Sequence, residues 1–278
     1  MTTAAILLCA GRGERLGAGV EKALAPLAGR PLFLWSLEAL ERCAAVDGIV
    51  VVGPVRRLQD VLAATGFGPG KVVAWTEGGR ARQDSVARGL RALPAGFDLV
   101  AVHDSARALI APALVARVVA DAVTHGAAIA AVPLEDTLKR ASLGRIEDTV
   151  PRAALWRAQT PQVFRREWLE AAHGQARSAA TDDAALVEAL GHAVFITAGD
   201  ALNFKITTAQ DLALAGAWLA WTLHDALLRT RSDRGLLRSR DWPFLDGVQT
   251  PTASRPVTGP CIPRSSRILA TRVMKRPG

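Results

Sequence analysis

Several short segments of this sequence are apolar at every consecutive position, as in Ile49-Val50-Val51-Val52. A strand with one face in water alternates apolar and polar residues. An unbroken apolar run therefore indicates a strand covered on both faces, as in a mostly parallel sheet. Such strands are predicted at residues 4–9, 48–52, 71–75, 99–103, 127–132 and 193–197.

Helical patterns separate these strands. Helices are predicted at residues 32–45, 55–64, 82–92, 111–124, 165–175, 182–190 and 208–220. The alternation predicts an α/β fold of three layers, with helices on both faces of the sheet. Ligands of such sheets bind beyond the carboxyl ends of the strands, so functional residues are expected on the loops that follow them.

Residues 134–150 interrupt this pattern. Two short polar-alternating segments flank Ala141-Ser142-Leu143-Gly144, which predicts a protruding β-hairpin arm. An isolated hairpin is marginally stable in water, so we expect a partner and predict a homodimer through residues 134–152. A surface hairpin without a partner is the alternative.

The basic charge of the chain is concentrated at its end. The net charge of the 278 residues is +8, and residues 222–278 carry 11 Lys/Arg against 4 Asp/Glu, a net of +7. We therefore predict a nearly neutral domain at residues 1–221, with no nucleic-acid partner, and a basic tail rich in Pro, Arg and Ser at residues 222–278. Residues 223–228 are expected to extend the last helix of the domain, and the rest of the tail is expected to be disordered or to be a truncated remnant.

The composition of the chain also indicates the cellular compartment in which the protein is found. The three cysteines lie far apart without CxxC spacing, which argues against a disulfide scaffold or a zinc site. No charge-free apolar run reaches the ~18 residues of a membrane span. The chain opens directly on a strand-like run, so no secretory signal is expected. These features predict a cytoplasmic protein without a membrane partner.

The first loop carries glycines and cations together. Gly11 and Gly13 would let backbone N–H groups approach a polyphosphate, and Arg15 and Lys22 follow them. The spacing is not that of a Walker loop, and two cations suit a triphosphate under attack. The alternative is a solvated turn with ordinary surface cations.

Polar residues also follow the third and fourth predicted strands. Gly78-Gly79 opens a helix in which Ser85 could read a base edge, although Asp84 or Ser85 could simply cap it. Asp104 could lie near Mg²⁺ or a ribose, with Arg107 on a phosphate, or the two could form only a surface ion pair. His103 is expected to be a packed residue rather than a general base.

Three further positions lie later in the chain. Thr137 falls on the arm and Arg152 follows it, while Thr181 is typical of a helix N-cap. Lys205 lies between Phe204 and Ile206 on a predicted short strand, where it is either an edge residue reaching water or a phosphate ligand.

Taken together, these segments resemble the 2-C-methyl-D-erythritol 4-phosphate cytidylyltransferase family over residues 4–221. The segments that carry the resemblance are CAGRGERLG with the later Lys22, GGRARQDSV, VHDSAR, PLEDTLKR, TVPRAALWRAQTPQVF, TDDAALVE and NFKITTAQDLALA. Their order and spacing are more specific than any single motif.

The resemblance implies a Rossmann-like nucleotidyltransferase fold and a reaction in non-mevalonate isoprenoid synthesis. CTP and methylerythritol phosphate would give CDP-methylerythritol and pyrophosphate, with Mg²⁺. By resemblance, the catalytic residues would be Arg15, Lys22 and Lys205, the nucleotide would be bound by Ala10, Gly11, Gly13, Gly79, Ser85 and Asp104, and the acceptor would be bound by Arg107, Thr137 and Arg152. Arg152 would reach the substrate in the neighbouring subunit.

Other functions stay open at this point. The chain could transfer a nucleotide to another phosphorylated substrate, or it could bind nucleotides without catalysis. Nucleic-acid binding by the basic tail is a third alternative. Some members of the family carry a C-terminal cyclodiphosphate synthase domain; residues 222–278 contain one histidine, His224, without the expected metal pair, so no working second domain is expected there.

Overall fold

A central sheet of seven strands organises the molecule, as seen in a computed structural model that describes residues 1–11, 13, 16, 21–176 and 180–232. The strands described are β1 (Thr3–Leu8), β2 (Pro26–Leu27), β3 (Arg30–Pro31), β4 (Gly48–Val52), β5 (Val72–Thr76), β6 (Leu99–Asp104), β7 (Ala127–Pro133), β8 (Leu138–Ser142), β9 (Arg145–Val150), β10 (Trp156–Arg165) and β11 (Phe195–Ala198). The helices are α1 (Leu32–Arg42), α2 (Val55–Thr65), α3 (Arg82–Ala92), α4 (Pro112–His125), α5 (Arg166–Gln175), α6 (Asp183–Ala189) and α7 (Ala209–Ser232).

The strand order in the sheet is β11-β7-β10-β6-β1-β4-β5. Every pairing is parallel except those of β10, which runs antiparallel to both β6 and β7. The predicted mostly parallel α/β fold is therefore confirmed. Parallel neighbours end at the same edge, so the loops after β1 and β6 meet there.

Both faces of the sheet are buried, as the apolar runs predicted. Ala5 and Leu7 of β1 pack into one core cluster with α1 and α4, while Ala4 and Ile6 pack into another with α3, α5 and α6. Since neighbouring residues of a strand point to opposite faces, only a strand covered twice can be apolar throughout.

The strand β10 was missed from sequence. Its segment includes the polar residues Gln159, Thr160 and Gln162, which are at most 5% exposed. Their side chains bond to Asn203, His103 and Asp182 respectively, which satisfies them inside the protein. Buried polar residues with such partners leave no apolar run to recognise.

The predicted arm is present as the hairpin of β8 and β9, which pair only with each other. Leu143 and Gly144 join them, with φ of 51° and 80°, the geometry of a two-residue hairpin turn. Every residue of both strands is exposed except Val150, which is half-buried.

The last helix continues well past the predicted end at residue 220. α7 runs to Ser232, which confirms that a helical start at residues 223–228 extends the last helix of the domain. The rest of the tail, predicted to be disordered, lies outside the described residues. Within the part of the chain that is described, no helix is long and apolar enough to cross a membrane.

Candidate active site

A cavity of about 520 Å³ opens beyond the carboxyl ends of β1 and β6. Eight of the predicted site residues line it: Ala10, Gly11, Gly13, Lys22, Gly79, Ser85, Asp104 and Lys205. Arg107, Thr137 and Arg152 are not part of its lining, and Arg15 lies outside the described residues.

The loop after β1 forms one wall of the cavity. Lys22 N donates to Gly11 O at 3.1 Å, and the Lys22 side chain passes 3.8 Å from the point where a Cβ on Gly11 would lie. Gly13 has a φ of 69°, a conformation that glycine adopts without strain. Gly11, Gly13 and Lys22 all line the cavity, so the loop brings a cationic residue there beside its glycines.

The turn before α3 forms the facing wall, and it admits only glycine. A Cβ on Gly78 would lie 2.2 Å from Ala10 Cβ, and one on Gly79 would lie 2.2 Å from Asp84 Cβ. Asp84 accepts a hydrogen bond from Ala81 N at 3.0 Å and so caps α3. Ser85 Oγ accepts from Gly79 N at 3.0 Å and donates to Ala81 O at 3.1 Å, which fixes its hydroxyl beside the turn at the cavity.

Asp104, the last residue of β6, is the acidic group of the described cavity lining. Its Oδ1 lies 3.1 Å from Arg82 Nε, and its Oδ2 lies 2.6 Å from Lys205 Nζ. Burial alone would raise the pKa of Asp104, but these two cations hold it well below its usual value. The carboxylate is therefore ionised and already paired.

The alternative of an Asp104–Arg107 surface pair is wrong. Arg107 donates instead to the carbonyl oxygens of Asn203, at 2.7 Å, and Ala158, at 3.2 Å. Burial lowers its pKa, although the nearby Asp104 charge opposes this. Arg107 thus ties β10 to the loop that carries Lys205, beside the cavity.

Lys205 lies on an extended loop and not on the predicted strand. The next residue, Ile206, is fully buried, and its N–H donates to Ala106 O at 2.8 Å. The loop is therefore fixed by Ile206, while the Lys205 side chain, 41% exposed, reaches into the cavity.

His103 is a packed residue, as predicted. It is fully buried, and its Nδ1 lies 3.0 Å from Thr160 Oγ1, which itself accepts from Asp104 N at 3.1 Å. The Thr160 hydroxyl proton is thus available to Nδ1. Burial lowers the pKa of His103 to about 4, so the imidazole is neutral near pH 7 and has a structural role.

Two predictions concern residues away from the cavity. Thr137 and Arg152 are both exposed on or beside the arm, so this subunit does not bring them to its own cavity. Thr181 is not the N-cap of α6, because Asp182 holds that place and accepts from Ala185 N at 3.1 Å. Asp182 competes well because a carboxylate caps a helix better than a threonine hydroxyl.

Sequence reasoning missed Arg82 and Asp183. Arg82 lines the cavity and binds Asp104, and its Nη1 lies 2.6 Å from Asp183 Oδ2. The sequence did carry a signal for Arg82. A cation at the first position of a helix opposes the helix dipole, which indicates that another interaction favours it there.

Asp104 is a poor candidate for a magnesium ligand. Both of its carboxylate oxygens contact cations, and the described residues contain no group of three or more His, Cys, Asp or Glu that could hold a metal. Mg²⁺ in phosphoryl-transfer sites is commonly held by substrate phosphates and water with one or two carboxylates. The described residues therefore do not fit a metal held mainly by protein ligands.

The fold and the cavity define a class of protein, the nucleotidyltransferases with a Rossmann-like α/β domain. A glycine-containing loop, Lys22, Lys205 and the turn that carries Gly79 surround one cavity at the sheet edge. A family model described as 2-C-methyl-D-erythritol 4-phosphate cytidylyltransferase matches residues 3–221. The chain belongs to this family.

Similar proteins carry the same name. The one from Salinibacter ruber is 45% identical over 225 residues, which is 78% of this chain and 93% of the relative. That from Gloeobacter violaceus is 43% identical over 220 residues, 77% of this chain and 94% of the relative. The crystal structure from Thermus thermophilus is 38% identical, with a TM-score of 0.63 over 77% of this chain and 98% of that chain.

Proposed function

We propose that this chain transfers CMP from CTP to 2-C-methyl-D-erythritol 4-phosphate and releases pyrophosphate, a step of non-mevalonate isoprenoid synthesis. The observation that carries the proposal is that Lys22 and Lys205, far apart in sequence, line one cavity with Gly79 and Ser85. Family membership supplies the identity of both substrates.

The residues suit an attack by a phosphate. A phosphate oxygen of the acceptor forms a bond to the α-phosphorus of CTP, the bond from that phosphorus to its bridging oxygen breaks, and pyrophosphate leaves. The attacking oxygen is already ionised, so no general base is needed, in keeping with a neutral, buried His103. Catalysis then consists of positioning and of stabilising charge, which are roles for Lys22, Lys205 and Arg15.

The nucleotide would lie against the two glycine-containing walls. In this proposal Ala10, Gly11 and Gly13 approach the phosphates, while Gly79 and Ser85 contact the cytosine. The closeness of Gly78 to Ala10 supports this arrangement, because it brings the turn before α3 against the loop after β1.

Mg²⁺ is proposed to arrive with CTP, bound to its phosphates and water. The ion pairs of Asp104 support this assignment, since they occupy both oxygens of the acidic residue that lines the cavity. Asp104 would then act on the acceptor through Lys205 and not on the metal.

A homodimer through the arm completes the proposal. Leu143 and Ile146 are 105% and 59% exposed on a hairpin that pairs only with itself. A hairpin that exposes apolar side chains in this way needs a covering surface. Seating it on a second subunit would carry Thr137 and Arg152 toward that subunit's cavity.

We further propose a cytoplasmic location. Cys9 and Cys43 are both unbridged and buried, which is typical of a protein from a reducing compartment.

The test is pyrophosphate release with each substrate omitted in turn. Turnover should require both CTP and methylerythritol phosphate, and CTP should be used in preference to GTP and UTP. Preference for another nucleotide, or turnover with a sugar phosphate in its place, would favour a related nucleotidyltransferase. Binding of CTP without turnover would leave a nucleotide-binding protein.

A further inference from the structure

Four charged side chains alternate in sign from the cavity into the protein, and we call Lys205, Asp104, Arg82 and Asp183 the charge row. The successive contacts are 2.6 Å from Lys205 to Asp104, 3.1 Å from Asp104 to Arg82 and 2.6 Å from Arg82 to Asp183. From Lys205 through Asp104 and Arg82 to Asp183 the side chains are 41%, 11%, 28% and 1% exposed. The Lys205 end of the charge row is thus exposed to solvent, and the Asp183 end is buried.

Asp183 is the fixed end. Its backbone N–H donates to Gln162 Oε1 at 3.1 Å, and its Oδ1 lies 2.9 Å from His173 Nε2. Gln162 belongs to β10, His173 to α5 and Asp183 to α6. Gln162 therefore holds the backbone of Asp183, while His173 and Arg82 hold its carboxylate, which cannot turn to water without breaking both side-chain contacts.

Arg82 joins the two carboxylates in a way that lysine could not. Its Nε faces Asp104 and its Nη1 faces Asp183, so two N–H groups of one rigid plane set the angle between them. Arg82 is also the first residue of α3, where a cation opposes the helix dipole. Its place is explained by the two carboxylates and not by the stability of the helix.

We infer that Arg82 and Asp183 are positioning residues, which fix the Asp104 carboxylate and through it the Lys205 ammonium group in the cavity. The inference rests on the proposed function, because it assigns Lys205 to the reacting phosphates. Oδ1 of Asp104 is held by Arg82, so Oδ2, which binds Lys205, has one orientation. Without Arg82 the carboxylate is free to rotate, so Oδ2 leaves the orientation in which it pairs with Lys205, and the ammonium group loses its fixed partner.

Kinetics of four variants test the inference. In Arg82→Gln, kcat should fall on the order of 10- to 100-fold, with smaller changes in KM for either substrate, because a misplaced charge costs most in the transition state. Asp183→Asn should lose less, and Arg82→Lys should recover part of the loss. The double variant Arg82→Gln/Asp183→Asn should be no slower than Arg82→Gln alone, since both changes break one row.

Arg91→Gln is the matched control, an exposed arginine of the same helix, and should keep the wild-type kcat. A wild-type kcat in folded Arg82→Gln, with only its melting temperature lowered, would overturn the inference. So would losses that multiply in the double variant.

A crystal structure of Arg82→Gln gives a readout that does not depend on turnover. Lys205 Nζ should leave Asp104 Oδ2, and retention of the 2.6 Å contact would overturn the inference. If the wild-type protein releases no pyrophosphate from its two substrates, the proposed function fails instead, and the structural readout still decides the charge row.

Discussion

Lys22 contacts the glycine-containing loop and lines the cavity. Replacing Lys22 by Ala should lower kcat by about 10²–10³, the usual effect of losing one group that stabilises transition-state charge. Arg15→Ala should do the same. Steady-state pyrophosphate release measures both, with Arg56→Ala on the surface of α2 as the control. Near wild-type kcat in folded Lys22→Ala would remove that residue from the mechanism.

Because His103 is buried and neutral, we expect the stability of the fold to decrease in acid. Its pKa is about 4 in the folded protein and 6.5 when exposed, so the unfolded chain binds more protons between those values. The contribution of His103 to the free energy of unfolding, roughly 3 kcal/mol, is fully present above pH 6.5 and is lost as the pH falls toward 4. Asp104 acts at lower pH, since its unfolded pKa is 3.8.

Urea unfolding at pH 7 and pH 4.5 measures this effect. His103→Asn keeps an acceptor for Thr160 but does not titrate, so its stability should change less over that interval. An equal loss in both proteins would assign the acid sensitivity to other groups.

The sequence predicted site residues from their own chemistry and their place after a strand, but not the partners that other elements bring to them. Glycines and cations after strands could be placed at the cavity because parallel strands end together, and Lys205 joined them by resemblance alone. The partners of Asp104 could not be found, because Arg82 looks like an ordinary cation at the start of a helix. Pairing with Asp183 depends on how α3 and α6 pack, which no local pattern contains.

At the scale of elements, prediction succeeded where one face or two faces of an element are uniformly apolar. β4 and α3 begin and end at the predicted residues. β10 was not predicted because polar residues with hydrogen-bond partners fill several of its buried positions. This strand makes the sheet mixed rather than purely parallel.

The arm is an element whose stability should come from a second subunit. Ile146→Lys should convert the proposed dimer to a monomer and lower activity, while leaving the melting temperature of the monomer unchanged, because Ile146 is 59% exposed within its own chain. Sedimentation equilibrium and pyrophosphate release measure the two effects. Leu214→Lys is the matched control, since Leu214 is 60% exposed on α7, away from the arm. A dimer that tolerates Ile146→Lys would exclude the arm as the interface.

For the molecule as a whole, the described cavity and core clusters use residues from 4 to 219, and the excess positive charge lies beyond them. A chain that ends at Ser232 should keep the kcat and melting temperature of the full chain. Its affinity for DNA at low salt should fall if the tail binds nucleic acid. Loss of turnover on deletion would show that the tail belongs to the catalytic domain.

The proposed dimer makes a prediction that no single subunit can satisfy. Arg152 is exposed and lies outside the cavity lining of its own chain, whereas Lys22 lines that cavity. If Arg152 acts in the partner's site, Lys22→Ala and Arg152→Ala should each be inactive as homodimers. In a mixed dimer, the subunit with an intact Lys22 receives the intact Arg152 of its neighbour, and one complete site forms.

Random exchange of equal amounts should therefore restore about a quarter of the wild-type activity, since half of the dimers are mixed and each has one of two sites. The two variants are denatured together, refolded and assayed for pyrophosphate release, with separately refolded proteins pooled afterwards as the control for exchange. If Arg152 instead served its own subunit, every site in the mixed dimer would carry one of the two substitutions. Activity would then stay at the level of the separate variants, which would refute a shared site.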